Sequence, residues 1–325
     1  MSKPRLLIHI GVPKSGTTSL QSGAFPNHPE VRYIGKPFYD AQIGYEASLA
    51  TAQLCDSLWK QDDLEFDLTL ARRRFELGVL PRLGKKLVVL SEEGLSQASA
   101  ADRHLTAQRL STLCQGMSCL ILITIREQKS ALFSGHNWIY ARHLTSLKFN
   151  DWIEWCTTYS SYYGCHNDYP LRQYRYACLY EHYAHLFGPE SVLVLPTELL
   201  SADPITFYAK LEDFAGLGRF WSTSSCPHQP VANRSPGRLG IVYQRFIKRI
   251  KHDRDLLLCR GASYPENLAE TGIHGCAMKL LTHVDFPMPA MSSKTATNLD
   301  EYYKKDNARL AANIKMPLKE YGYSV

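Results

Sequence analysis

The chain has 325 residues, of which 45% are hydrophobic, enough apolar material to bury the core of one large domain or two small ones. The formal net charge of +6 is compatible with an anionic substrate but is too small to indicate a nucleic-acid-binding protein. No apolar run reaches the roughly 20 residues that a membrane span needs, and the first apolar run follows Met1 too closely for a signal peptide, so we expect a cytoplasmic protein.

The cysteines and histidines indicate neither a disulfide framework nor a metal site. The nine cysteines are odd in number and scattered, and they form no C-x-x-C pair, which is typical of reduced thiols. The 12 histidines are equally dispersed and form no H-E-x-x-H motif. We therefore expect free thiols and no metal.

Apolar runs predict buried strands of a parallel sheet, and helical periodicity lies between them. The predicted strands are residues 6–10, 87–90, 119–125 and 191–195, with a further short strand within 27–37. The predicted helices are residues 45–80, 101–114, 129–143, 150–159, 171–187, 203–215, 239–251 and 299–314. This alternation predicts an α/β fold with a central parallel β-sheet flanked by helices, built as a single domain over residues 1–325 with helical and loop insertions.

The first predicted strand ends in a loop with the composition of an anion-binding site. Gly11, Pro13 and Gly16 break the strand, and the hydroxyl residues 17–19 then begin a helix. Backbone N–H groups converge in such a loop, and the helix dipole favours negative charge. We therefore expect a phosphate group to bind there.

The position of the lysine distinguishes this loop from the loop of nucleotide triphosphatases. In the motif G-x-x-x-x-G-K-[ST], lysine directly follows the second glycine. Here Thr17 follows Gly16, and Lys14 lies earlier, at the crown of the loop. The segment Pro-Lys-Ser-Gly-Thr-Thr-Ser, residues 13–19, instead resembles the 5′-phosphosulfate loop of the sulfotransferases that use 3′-phosphoadenosine 5′-phosphosulfate (PAPS). The resemblance implies a P-loop nucleotide-kinase-like sulfotransferase fold with PAPS as cosubstrate.

The same resemblance implies roles for the residues of the loop. Lys14 is expected near the oxygen that bridges sulfur and phosphorus, where charge builds as the bond breaks. The loop amides and hydroxyl groups are expected to hold the 5′-phosphate. The residues concerned are Ser15, Gly16, Thr17, Thr18 and Ser19.

A second phosphate site is implied after the strand predicted at 119–125. Arg126 follows that strand, and Ser134 comes eight residues later, which resembles the family's site for the 3′-phosphate of PAPS. Arginine suits phosphate because its planar guanidinium donates two parallel hydrogen bonds. Many relatives have Arg-Asn-Pro where this chain has Arg-Glu-Gln, so the match is incomplete. Arg234, on a Ser-, Gly- and Pro-rich stretch, is a further candidate for the same phosphate.

The candidate base lies after the strand predicted at 87–90. Sulfuryl transfer to a hydroxyl needs a proton acceptor, and a carboxylate can serve. In carbohydrate sulfotransferases a glutamate at the end of this strand has that role, and the resemblance favours Glu93, with Glu92 as the reserve. His136 is a rival base, since some cytosolic sulfotransferases use histidine. His9, inside the first strand, is expected to be a core residue.

These expectations combine into one function. The sequence resembles bacterial, carbohydrate-sulfotransferase-like enzymes that move a sulfuryl group from PAPS to a hydroxyl of an acceptor, here a saccharide or glycolipid. The alternatives are a P-loop kinase or NTPase, and a non-catalytic nucleotide- or polysaccharide-binding protein on the same fold. The acceptor and the oligomeric state stay open.

Overall fold

The computed structural model describes residues 5–38, 44–83, 86–97, 102–142, 144–158, 169–223, 239–243 and 290–325. In this part of the chain, one parallel sheet has five strands in the order β2-β3-β1-β4-β5. The strands are β1 (Arg5–His9), β2 (Val31–Tyr33), β3 (Leu87–Ser91), β4 (Ser118–Ile125) and β5 (Val192–Pro196). The predicted α/β fold with a central parallel sheet is confirmed.

Helices connect and flank the strands. The α-helices are α1 (Thr17–Ser19), α2 (Phe25–Asn27), α3 (Tyr45–Lys60), α4 (Leu68–Gly78), α5 (Arg103–Leu113), α6 (Gln128–Ala141), α7 (Phe149–Thr158), α8 (Tyr169–Arg172), α9 (Tyr176–Phe187), α10 (Thr197–Ala202), α11 (Pro204–Ala215) and α12 (Ser293–Ile314). A π-helical turn, Leu20–Ala24, joins α1 to α2, and a 3-10 turn, Glu93–Ser96, follows β3. No helix in the described ranges is both long and apolar enough to cross a membrane.

Local sequence explains where several helices begin and end. Helix α11 starts as predicted, because the Asp203 carboxylate accepts a hydrogen bond from the Thr206 amide and Pro204 occupies the first turn. Gly216 ends this helix in the left-handed conformation, at φ 58°. Helix α12 starts earlier than predicted, because the Ser292 hydroxyl accepts a hydrogen bond from the Thr295 amide.

The predicted helix over residues 45–80 is two helices, α3 and α4. Asp62 breaks it, since its carboxylate accepts hydrogen bonds from the Leu64 and Glu65 amides, at 2.9 Å each. Asp67 then caps α4 through the amides of the second and third residues after it. Short acidic side chains favour turns and helix starts over helix interiors, and here they outweigh the apolar periodicity.

The described residues divide into two compact units. The first comprises Met1–Ala131, Pro170–Ala232 and Asp300–Val325, and the second comprises Leu132–Tyr169 and Asn233–Leu299. The whole sheet lies in the first unit, where β1 and β3 contribute strands with almost no exposed side chains. The prediction of a single domain stays a prediction.

The strand order places the loops after β1 and β4 at a point of divergence. The chain leaves β1 toward the β2 edge of the sheet, whereas it leaves β4 toward β5 on the other side. In open parallel sheets, ligands bind beyond the carboxyl ends of the strands at such a point. The fold therefore puts the predicted anion loop, residues 11–19, at the position where a ligand is expected.

Candidate active site

The anion loop has the close backbone approaches that its glycines predict. Gly11 has φ +88°, and a Cβ atom there would lie 3.0 Å from the Cβ of Glu93. Gly16 has φ +75°, and a Cβ atom there would lie 3.1 Å from a methyl group of Thr197. Both glycines are needed for conformation and for space. The first contact also brings the loop against the candidate base.

Lys14 adopts a backbone conformation that is rare for a side-chain-bearing residue. Its φ is +68°, in the left-handed region, which costs about 1–2 kcal/mol relative to the ordinary conformation. Strain of this kind concentrates at ligand-binding and catalytic sites. The surrounding structure thus holds the backbone of Lys14, at the crown of the loop, in this conformation.

The predicted hydroxyl residues differ in their surroundings. The Ser15 hydroxyl is buried and donates to the carbonyl oxygen of Val12, so the serine's backbone N–H is the group left for an anion. Thr17 is buried, Ser19 is partly buried and Thr18 is exposed. Gly16 precedes the helix start without a side chain to cap it. The Ser19 amide donates to the Gly16 carbonyl oxygen at 3.0 Å, and a helix start without a side-chain cap is suited to an anion.

Arg126 lies against the anion loop. Its guanidinium donates to the carbonyl oxygen of Lys14 at 3.4 Å, and its own carbonyl oxygen accepts from the Tyr176 hydroxyl at 2.7 Å. Glu127 then caps α6 by accepting from the Lys129 and Ser130 amides. The structure therefore brings together two predicted phosphate ligands, the loop lysine and the arginine after β4.

The two glutamates after β3 have different environments. Glu92 is buried, accepts a hydrogen bond from the Gly94 amide at 2.8 Å, and has its pKa raised by burial. The Glu93 side chain is 27% exposed, but its Oε2 atom is buried and has no hydrogen-bond partner among the described residues. An unsatisfied buried carboxylate oxygen is costly and calls for a functional explanation. Of the pair, Glu93 has the buried carboxylate oxygen without a partner among the described residues.

Lys36 is a residue of the site that sequence analysis missed. Its ammonium nitrogen lies 3.9 Å from Glu93 Oε1 and 4.0 Å from Glu92 Oε1, and its backbone N–H donates to the Ser91 carbonyl oxygen at 3.0 Å. The sequence feature that could have indicated Lys36 is its position just after β2. The carboxyl ends of parallel strands lie at one edge of the sheet, so a residue after β2 lies near the residues that follow β3. The ammonium group opposes the effect of burial on the pKa of Glu92.

Replacing Glu92 by Gln is expected to raise the midpoint of thermal unfolding by about 2 °C at pH 8 and to leave it nearly unchanged at pH 4. Burial raises the pKa of the Glu92 carboxyl in the folded protein above its ordinary 4.5. The wild-type protein therefore loses stability as the pH rises above 4.5, because the buried carboxyl must ionise. Glutamine stays neutral and can still accept from the Gly94 amide. Thermal melts at pH 4, 6 and 8 measure the difference, and a lower midpoint at pH 8 contradicts it.

The remaining candidates from the sequence are one residue in β1, two in the second unit and one outside the described residues. His9 is fully buried in β1, as expected of a core residue, and burial lowers its pKa to about 3. His136 and Ser134 are buried in the second unit, where the His136 Nε2 atom bonds the Leu147 carbonyl oxygen at 2.9 Å. Burial lowers the pKa of His136. Arg234 lies outside the described residues, so its role and the pairing of Ser134 with Arg126 stay predictions.

Comparisons with known proteins bear on the fold. The crystal structure of a sulfotransferase from Alicyclobacillus acidocaldarius aligns with 99% of this chain and 100% of its own, at 17% identity and a TM-score of 0.54. A mouse sulfotransferase complexed with PAP (3′-phosphoadenosine 5′-phosphate) aligns with 98% of this chain and 90% of its own, at 12% identity and a TM-score of 0.44. No protein-family model and no curated protein matches the chain. The first alignment, full-length in both proteins, shows that this chain has the sulfotransferase fold.

Proposed function

We propose that this protein is a PAPS-dependent sulfotransferase that transfers a sulfuryl group to a hydroxyl of a carbohydrate or glycolipid acceptor. The observation that carries the proposal is the contact between Gly11, the first glycine of the anion loop, and Glu93, whose buried Oε2 lacks a partner among the described residues. This contact supports the proposal, because a carboxylate next to the anion loop is suited to accept the proton of a hydroxyl that attacks the transferred group.

The residues of the first unit are suited to the anionic ends of PAPS. The loop amides and the helix start are suited to the 5′-phosphate, and the Lys14 ammonium to the bridging oxygen. Arg126, already at the loop, offers the planar donor pair that phosphate prefers, for the 3′-phosphate. Thr17 stands where a nucleotide triphosphatase has its lysine, which favours PAPS over ATP.

The reaction we propose is an in-line displacement at sulfur. The oxygen of the acceptor hydroxyl bonds to sulfur while Glu93 accepts the hydroxyl proton. At the same time the bond between sulfur and the bridging phosphate oxygen breaks, and its electron pair stays on the phosphate oxygen. Lys14 and the loop amides stabilise the negative charge that develops on the leaving phosphate oxygen. The products are the sulfate ester and 3′-phosphoadenosine 5′-phosphate (PAP), and Glu93 then releases its proton to solvent.

Calorimetric titration with PAP is expected to show micromolar or tighter binding to the wild-type protein, weakened about tenfold or more in Arg126→Ala, because a phosphate loses its charged donor. Arg72→Ala is the matched control, since Arg72 is an exposed arginine on α4, and it should bind as wild type does. ATP with Mg²⁺ serves as the competing ligand. Binding of ATP–Mg²⁺ in place of PAP overturns the proposal in favour of a kinase or NTPase.

The acceptor class needs its own assay. Radiolabelled sulfate is followed from PAPS to a panel of neutral saccharides, glycolipids, phenols and steroids. Transfer to a saccharide or glycolipid supports the full proposal, whereas transfer to phenols or steroids alone keeps the sulfotransferase and replaces the acceptor. PAP binding without transfer to any of them favours the non-catalytic binding protein.

A further inference from the structure

A line of buried polar side chains crosses the carboxyl ends of the three central strands. On β1, the His9 ring contacts β3 through its Nδ1 atom, 2.7 Å from Ser91 Oγ. The same ring contacts β4 through its Nε2 atom, 3.0 Å from Thr124 Oγ1. The Gln21 amide nitrogen, from the π-helical turn, lies 3.1 Å from Ser91 Oγ. Four buried side chains thus form one hydrogen-bonded series.

The series continues into the anion loop. Thr124 Oγ1 lies 2.8 Å from Ser15 Oγ, and Ser15 Oγ lies 2.5 Å from the carbonyl oxygen of Val12. Ser15 directly follows Lys14, the strained residue at the crown of the loop. The backbone of the loop is therefore tied to the centre of the sheet through the Ser15 hydroxyl.

The loop end fixes the direction of every bond in the series. A carbonyl oxygen can only accept, so the Ser15 hydroxyl donates to Val12. A hydroxyl has one proton, so Ser15 accepts from Thr124, and Thr124 in turn accepts from His9 Nε2–H. His9 is thereby assigned the tautomer with its proton on Nε2.

The other end of the series agrees with this direction. With its proton on Nε2, neutral His9 has a bare Nδ1 atom, which accepts from the Ser91 hydroxyl. Ser91 then accepts from the Gln21 amide, a group that can only donate through its nitrogen. The Ser91 proton has a second acceptor within reach, the Tyr33 hydroxyl oxygen, because Tyr33 donates its own proton to the Lys36 carbonyl oxygen. The direction of the series is therefore set by its loop end.

The neutral state of the ring follows from its surroundings. The described contacts of the imidazole are all to neutral groups: hydroxyls on β3 and β4 and the edge of the Phe25 ring, 5.5 Å between centroids. Ser91 has one more neutral partner, the Tyr33 hydroxyl. A buried imidazolium without a counter-charge is strongly disfavoured, so the series does not change with pH in the neutral range.

We propose that His9 is a positioning residue that, as the neutral Nε2–H tautomer, sets the anion loop through Thr124 and Ser15. The effect of His9 on PAPS binding rests on the proposed function. The tautomer of His9 and its effect on the conformation of the loop do not depend on that function. The Ser15 hydroxyl acts here as a fixing point for the loop, and its side chain is not a phosphate ligand.

The test is nitrogen-15 NMR of the full chain without ligand, with the His9 signals assigned by their loss in His9→Gln. The expected result is a neutral ring with the proton on Nε2 at every pH from 5 to 9. A His9 ring that titrates in this range, or that carries its proton on Nδ1, overturns the proposal.

Two substitutions at Thr124 separate the hydroxyl from the rest of the side chain. Thr124→Val keeps the branched side chain but has no hydroxyl to accept from His9 and donate to Ser15. Thr124→Ser keeps the hydroxyl. The amide signals of residues 14–17 should move in the Val variant and stay close to wild type in the Ser variant. Equal shifts in both, or none in either, overturn the proposal, and thermal melts establish that both variants are folded.

PAP titration then gives the functional consequence. Thr124→Val should bind PAP about tenfold more weakly than wild type, and Thr124→Ser within about threefold, since the valine loses the two buried hydrogen bonds of the Thr124 hydroxyl. Equal affinities for the two variants overturn the link between the series and the site. If PAP fails to bind the wild-type protein, the proposed function fails, while the NMR results still decide the role of His9.

Discussion

Glu93→Gln is expected to lower kcat by about 10³-fold, and to leave the affinity for PAP within about threefold of wild type. The amide keeps the shape of the carboxylate and its place beside Gly11, but it cannot accept the proton of the acceptor hydroxyl. Sulfate transfer from radiolabelled PAPS to the best acceptor of the panel measures kcat, and calorimetry measures the affinity for PAP.

Glu92→Gln is the matched control for this experiment. It makes the same chemical change one residue earlier, at a carboxylate whose Oε1 atom is already engaged by the Gly94 amide. We expect it to retain kcat within about tenfold, because Glu93, the proposed proton acceptor, is unchanged. If Glu92→Gln is the inactive variant and Glu93→Gln is active, the assignment of the base is reversed. If both are active, neither glutamate is the base.

The regions predicted most accurately from sequence are those governed by the ends of strands. An apolar run followed by Gly11 and Gly16 predicted β1 and its loop, and the rule that parallel strands end at one edge brought Arg126 and Glu93 to that loop. These inferences need the strand order along the chain, the chemistry of the residue that follows each strand and, for Arg126 and Glu93, the resemblance to sulfotransferases.

The features that were missed depend on partners distant in sequence. The inward turn of the Ser15 hydroxyl follows from Thr124, 109 residues away, and no local pattern indicates it. Lys36 was overlooked because β2 has only three residues, too few for a periodicity to draw attention to its end. The break between α3 and α4 was missed because capping by Asp67 competes with apolar periodicity.

Lys14→Ala and Lys14→Gly are both expected to lower kcat by about 10²-fold, because each removes the ammonium group that, in the proposed reaction, stabilises the leaving phosphate oxygen. Their stabilities should differ. Since the residue has φ +68°, glycine relieves a strain that alanine retains, so the Gly variant should melt about 2 °C higher than the Ala variant.

This pair separates the two ways in which Lys14 can matter. A role in charge stabilisation predicts equal loss of kcat in both variants whatever their stability, and partial recovery in Lys14→Arg, which restores a positive charge. A role in loop shape alone predicts that Lys14→Gly, the less strained variant, stays active. Equal melting temperatures for Gly and Ala contradict the assignment of strain, and wild-type kcat in Lys14→Ala contradicts the assignment of the ammonium group. Because strain and charge reside on one residue at the crown of the loop, these variants test the backbone conformation and the ammonium group separately.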